Sequence, residues 1–132
     1  MITKEITICG KQVTLAYCYA TEISYKILSD EDVISFGKEI SEKIQHEQMP
    51  DIRKTIYLIL ASMQSYYESL PAGQDGQKPQ SPVTDKELMY ECTPQEIGQA
   101  LGTVLGLRGQ FYHIPADEPK DKPAEGNNPK NA

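Results

Sequence analysis

A chain of 132 residues, 39% hydrophobic and carrying a net charge of −6, is sized for one domain with one modest core. The acidic balance argues against a nucleic-acid binder, which presents a basic face to phosphates. Cys9, Cys18 and Cys92 are odd in number and far apart, with neither a CxxC pair nor a disulfide framework, so reduced thiols in a cytoplasm are expected.

The N-terminus, MITKEITICG, alternates apolar and charged residues and reads as no secretion signal. Ile2, Ile6 and Ile8 alternate with Thr, Lys and Glu, which is a strand pattern. Cys9-Gly10-Lys11-Gln12 supplies a turn, and Val13 and Leu15 continue beyond it. A two-stranded hairpin is marginal alone, so one of its faces must lie on helices.

From Ala16 to Ser29 the spacing turns helical, with Tyr17, Ala20, Ile23, Ile27 and Leu28 as the apolar stripe. Glu22 sits within this helix, either as a partner contact or, in the plainer and favoured reading, on a solvated face. Ser29-Asp30 offers an N-cap to a second helix striped by Val33, Phe36, Ile40 and Ile44. Glu39 and Lys43 are spaced as an i,i+4 ion pair, and His46 closes the helix with no second metal ligand at a suitable spacing.

Pro50 to Leu70, PDIRKTIYLILASMQSYYESL, is the stretch around which the chain is organised. Ile52, Ile56, Ile59, Leu60, Met63, Tyr67 and Leu70 fall at three-and-four steps, and IYLILASM is apolar nearly all round. This predicts a buried central helix, with Pro50 at its first position and Asp51 in the first turn, too short to span a bilayer. PAGQDGQKPQSP follows as a mobile loop over 71–82, read as a tolerated insertion or a docking place for a partner.

Thr84-Asp85-Lys86-Glu87 reads as a capping box opening a short helix through Tyr90. Thr93-Pro94-Gln95-Glu96 opens the last helix, whose apolar residues are Ile97, Leu101, Val104 and Leu105. Gly98, Gly102 and Gly106 recur on one face of it, each costing about 1 kcal/mol relative to Ala. Close approach by the central helix of the same chain is the favoured explanation; a groove for a partner's helix is the sharper one. The globular domain is thus placed at 1–114, and 115–132, proline-rich and charged, is expected to be a disordered tail.

The fold class expected is α-dominated α+β: four to five helices with a short N-terminal β-hairpin. Chemistry is harder to find. The only histidines are His46 and His113, and neither lies in a motif. The glycines of the last helix lie inside it rather than in a phosphate loop before it. TPQEIGQALG could begin a helix-turn-helix, but VLGLRGQFY, with a single arginine, is a poor recognition helix. No enzyme, cofactor or metal is expected, and no membrane contact. Tyr66, among several tyrosines, is a candidate interface residue because tyrosine is enriched at interfaces.

The order of elements resembles the small tail assembly chaperones of long-tailed bacteriophages and prophages. The resemblance is carried by the hairpin EITICGKQVTL, the helix AYCYATEISYKIL with its embedded acid, the apolar helix DIRKTIYLILASM and the late helix TPQEIGQALGTVL, over roughly 3 to 112. The chain departs from many members in its long 71–82 loop and in lacking a glycine after the first helix. The resemblance implies a cytoplasmic binding protein that keeps the tape measure protein soluble before the tail tube polymerises. It also implies several copies on the client and a connection to the major tail protein. A frameshifted longer product is a further implication, and Pro129-Lys130-Asn131 can be encoded by a slippery heptamer. Partner-binding candidates are Glu22, Tyr66, Gly98, Gly102 and Gly106. A virion structural or tail-completion protein is the runner-up, and a helix-turn-helix regulator is a more distant one.

Overall fold

A computed structural model describes residues 1–113. The expected 115–132 tail lies outside the described residues. Two strands, β1 (Ile2–Ile8) and β2 (Lys11–Tyr17), precede five helices: α1 (Tyr19–Ser29), α2 (Val33–Gln45), α3 (Ile52–Ser69), α4 (Asp85–Tyr90) and α5 (Pro94–Phe111). The domain is α-dominated with an N-terminal antiparallel hairpin, as the sequence implies.

The hairpin turns on Cys9 and Gly10 alone, with φ of 51° and 72°. Two consecutive positive φ values suit a tight turn whose twist matches the strands, and glycine takes one of them without a Cβ clash. Ile2 pairs with Tyr17 and Ile8 with Lys11. Ile6, Ile8, Val13, Leu15 and Tyr17 point inward, so one sheet face is buried on α3 and α5.

α3 is the central helix. Its residues from Thr55 to Met63 are buried apart from half-buried Tyr57, and α1, α4, α5 and β2 pack around it. Its ends differ from the sequence expectation. Asp51 is the N-cap, accepting from Lys54 N at 2.9 Å, which leaves Pro50 outside the helix, and Ile52 is exposed. β2 also needs α3 for polar reasons. Ser62 Oγ accepts from Ala16 N and donates to Ala16 O, while Tyr67 Oη accepts from Thr14 N. The outer edge of β2 is thereby satisfied by helix side chains instead of a third strand.

Three local expectations are corrected. α1 starts at Tyr19, not Ala16, because β2 runs on through Tyr17. Asp30 is the left-handed C-cap of α1 (φ 60°), and Asp32 takes the N-cap position of α2. Glu39 bonds Lys54 Nζ at 2.7 Å in place of Lys43; with Glu31 Oε1 at 3.1 Å from the same ammonium, it ties α2 to α3. Both capping boxes of the C-terminal half are present, Thr84 with Glu87 and Thr93 with Glu96.

The cysteine expectation is overturned. Cys9 and Cys92 form a disulfide with Cα atoms 5.3 Å apart, leaving Cys18 as the free, half-buried thiol. The pair is 83 residues apart in sequence. It meets because α5 packs along the hairpin and brings the α4–α5 junction to the turn. The same corner holds Cys9 N on Glu96 Oε2 at 2.8 Å and Lys11 Nζ on Glu87 Oε2 at 2.7 Å.

Candidate functional site

The register of α1 decides what the domain shows to solvent. Thr21 and Tyr25 are its buried side chains. Thr21 Oγ1 bonds the Ser65 hydroxyl at 2.8 Å and donates to Ala16 O. The Tyr25 ring stacks on Phe36 with centroids 5.7 Å apart, and its hydroxyl donates to Glu31. These polar and aromatic contacts turn the aliphatic stripe read as core outward. Ile23 is 61% exposed and Ile27 77%, in line with exposed Tyr19 one turn earlier. Burying a side chain of this size is worth about 1.5–3 kcal/mol, so two isoleucines left in water are a standing cost.

α2 adds to it. Val33, Phe36 and Ile40 are buried as the stripe predicts, but Ile44 is 63% exposed and Ile34 is exposed as well. Between α2 and α5 runs a groove of about 1010 Å³, walled by Ile34, Gly37, Ile40 and Ile44 on one side and Leu105 and Arg108 on the other. Lys38 and Glu42 add charge to the lining. A second groove, about 1120 Å³, lies between α3 and the segment before α4, against Leu60, Met63, Tyr67 and Met89.

Glu22 is not part of a solvated face. Its Oε2 accepts from Tyr17 Oη at 2.8 Å and Tyr112 Oη at 2.6 Å, joining α1, β2 and the end of α5. Burial, and then the bond to Glu22, raises the Tyr17 phenol well above its ordinary range. The Tyr112 phenol is pushed up to about 12, first by its bond to Glu22.

The glycines of α5 are likewise placed. Gly98, Gly102 and Gly106 are exposed, and a Cβ at any of them would meet nothing within 4 Å. Close approach by the chain's own central helix at these glycines is therefore corrected: α5 turns Ile97, Ala100, Leu101, Val104 and Leu107 inward, where it packs on α3 and the hairpin. The α5 residues that line the α2–α5 groove are Leu105 and Arg108 instead. Tyr66 is half-buried, its ring edge-on to Tyr67 at 4.9 Å, and stands apart from the groove.

Arg108 was not singled out as a site residue, although it is the one charged residue between Ile97 and Phe111. Its guanidinium carbon lies 5.5 Å from the Tyr112 ring centroid. Its Nε is buried with no hydrogen-bond partner among the described residues. The ion pairs among the described residues are Lys11–Glu87, Lys26–Asp32, Lys54–Glu31 and Lys54–Glu39, none involving Arg108.

One grouping among the described residues has metal-ligand character: Cys9, Cys92 and Glu96, whose ligand atoms lie within 4.8 Å of one another. The two sulfurs are bonded to each other, and the Glu96 oxygens accept from Thr93 N and Cys9 N. That corner is committed to holding the turn on the helix junction. Among the described residues no helix is long and apolar enough to cross a membrane. No protein family, curated protein or solved structure matches the chain.

Proposed function

We propose that this domain is a binding protein for apolar helices and, by its resemblance to that family, a tail assembly chaperone of a long-tailed bacteriophage or prophage. In this reading it covers helices of the tape measure protein, several copies to a client, until the tail tube assembles. The observation that carries the reading is the exposure of Ile23 and Ile27 on α1 and of Ile34 and Ile44 on α2, the last two lining an open groove. A client with greasy helices gains from covering such surface, and the acidic domain keeps the complex dispersed. The setting proposed is the cytoplasm of the bacterial host.

Co-expression with the tape measure protein of the same gene cluster tests this. The client should move to the soluble fraction with the unaltered protein and remain insoluble with Ile23→Glu/Ile27→Glu. An insoluble client in both cases, or stable rings of this protein within finished particles, would favour a virion structural or tail-completion role.

A further inference from the structure

We infer that Cys9, Cys92 and Glu96 form a zinc site when the two cysteines are thiols. Two thiolates and one carboxylate hold the ion, which fastens the hairpin turn to the α4–α5 junction as the disulfide does in the oxidised chain. The site is independent of the client-binding reading above.

Zinc takes thiolate and carboxylate donors in a tetrahedral arrangement, and sites with three protein ligands keep water in the fourth position. The ligand atoms of Cys9, Cys92 and Glu96 lie within 4.8 Å of one another. On a tetrahedral ion with Zn–S bonds of about 2.3 Å, two sulfurs stand about 3.8 Å apart. Cα atoms separated by 5.3 Å are near enough for both side chains to reach one ion. All three residues are half-buried, so the ion enters from solvent while its ligands are partly screened from water. Soft thiolates disfavour calcium and magnesium, and the hard carboxylate beside them favours zinc over copper(I).

The carboxylate is already held as a ligand would be. Its oxygens accept from Thr93 N at 2.9 Å and Cys9 N at 2.8 Å, which fixes its plane and leaves each oxygen a lone pair for the ion. Lys11, two residues on from Cys9, directs its ammonium to Glu87 Oε2 at 2.7 Å and Pro82 O at 3.1 Å. Cys9 itself takes a left-handed φ of 51°, a turn position that glycine or asparagine fills at lower cost. A cysteine there is accounted for by what its sulfur binds.

The two states interconvert by thiol–disulfide exchange. A small dithiol passes two electrons and two protons to Cys9 and Cys92 and becomes a disulfide itself. Zn2+ then displaces the two thiol protons. A small disulfide takes the two electrons back, re-forming the bond and releasing the ion.

The test titrates the reduced full-length protein, freed of reductant without air, with Co2+ and then Zn2+. Cobalt should give sulfur-to-metal charge-transfer absorbance and the visible bands of a tetrahedral ion, saturating at one equivalent per chain and bleached by zinc. The oxidised protein, folded and identical in sequence, should give neither. Zinc should raise the urea midpoint of the reduced protein and leave that of the oxidised protein unchanged. Cys18→Ser should keep the bands and Cys9→Ser/Cys92→Ser should lose them. Glu96→Gln should weaken zinc by roughly tenfold or more, the least that losing a group which merely supports a ligand costs. No charge-transfer band on the reduced protein, or one that survives Cys9→Ser/Cys92→Ser or needs Cys18, overturns the site. Saturation at half an equivalent puts the ion between two chains and overturns a site within one. Undiminished affinity in Glu96→Gln overturns the proposed ligand set.

Discussion

Tyr112 donates its hydroxyl to Glu22 Oε2 at 2.6 Å across 90 residues of sequence, and the same oxygen accepts from Tyr17. One carboxylate thus ties the end of the last helix to the first helix and the second strand. Glu22→Ala leaves the buried Tyr17 hydroxyl without its acceptor, which should lower stability by about 1–3 kcal/mol. Urea unfolding at neutral pH measures it, and an unchanged midpoint would mean that solvent replaces the carboxylate.

The same tie gives an alkaline limit. Tyr17, Tyr25 and Tyr112 all have phenols raised above the ordinary value of 10.0. Burial is the main cause for the first two, and the bond to Glu22 for the third. A folded-state pKa raised above the unfolded one contributes stability that is complete below about pH 10 and is lost as pH rises through the folded value, about 12 for Tyr112. Tyrosinate absorbance and circular dichroism followed together should show these tyrosines ionising with unfolding, and Glu22→Gln should bring Tyr112 ionisation to lower pH. Tyr112 ionising at its ordinary pH would remove the Glu22 bond from the account.

Where a structural signal was local, the sequence carried it. The Thr93–Glu96 capping box and the alternation of Ile6 and Ile8 each lie within a few residues and appear where expected, and the turn falls within the expected Cys9–Gln12 stretch, narrowed to Cys9-Gly10 because Lys11 and Gln12 already pair in β2. The face of α1 depended instead on Thr21 meeting Ser65 and Tyr25 meeting Phe36, partners that spacing within α1 cannot reveal. Hydrophobic periodicity therefore assigned Ile23 and Ile27 to the interior, when buried polar contacts set the register. The Cys9–Cys92 bond and the groove around Arg108 are hidden for the same reason: each needs α5 laid against a distant element.

The disulfide corner has a measurable share of stability. Linking residues 83 apart restricts the unfolded chain, worth about 4 kcal/mol on a chain-entropy account. Reduction, or Cys9→Ser/Cys92→Ser, should lower the urea midpoint accordingly with the fold retained at low denaturant. Thiol titration of the unfolded protein reports the state in which it is made: one free thiol for the bonded form, three for the reduced form.

Acid should loosen the same corner. The Glu96 carboxyl is held below its ordinary 4.5 by the Thr93 amide first and the Cys9 amide second, and Glu87 by Lys11 first. A lowered folded-state pKa contributes stability that is present above about pH 4.5 and is lost as pH falls through the folded value. Protection of the Cys9 amide relative to its intrinsic exchange rate should fall in that range, and Glu96→Gln should lower it already at neutral pH. Protection of Cys9 that is indifferent to Glu96→Gln would assign the docking of the turn to the disulfide alone.

The glycine face of α5 separates folding from binding. Gly98, Gly102 and Gly106 stand in a helix interior at ordinary helical φ, with open space where a Cβ would go. Alanine at each removes unfolded-state freedom without a clash, so each substitution should raise stability by about 0.5–1 kcal/mol. If a client helix lies against this strip, the three methyl groups hold its backbone off, and the triple variant should be the more stable protein and the poorer binder. Thermal unfolding and the fluorescence anisotropy of a labelled amphipathic helical peptide measure the two effects on one sample. A triple variant that is more stable and binds undiminished places the client away from this strip. One that is less stable shows that the strip packs on something within the folded chain.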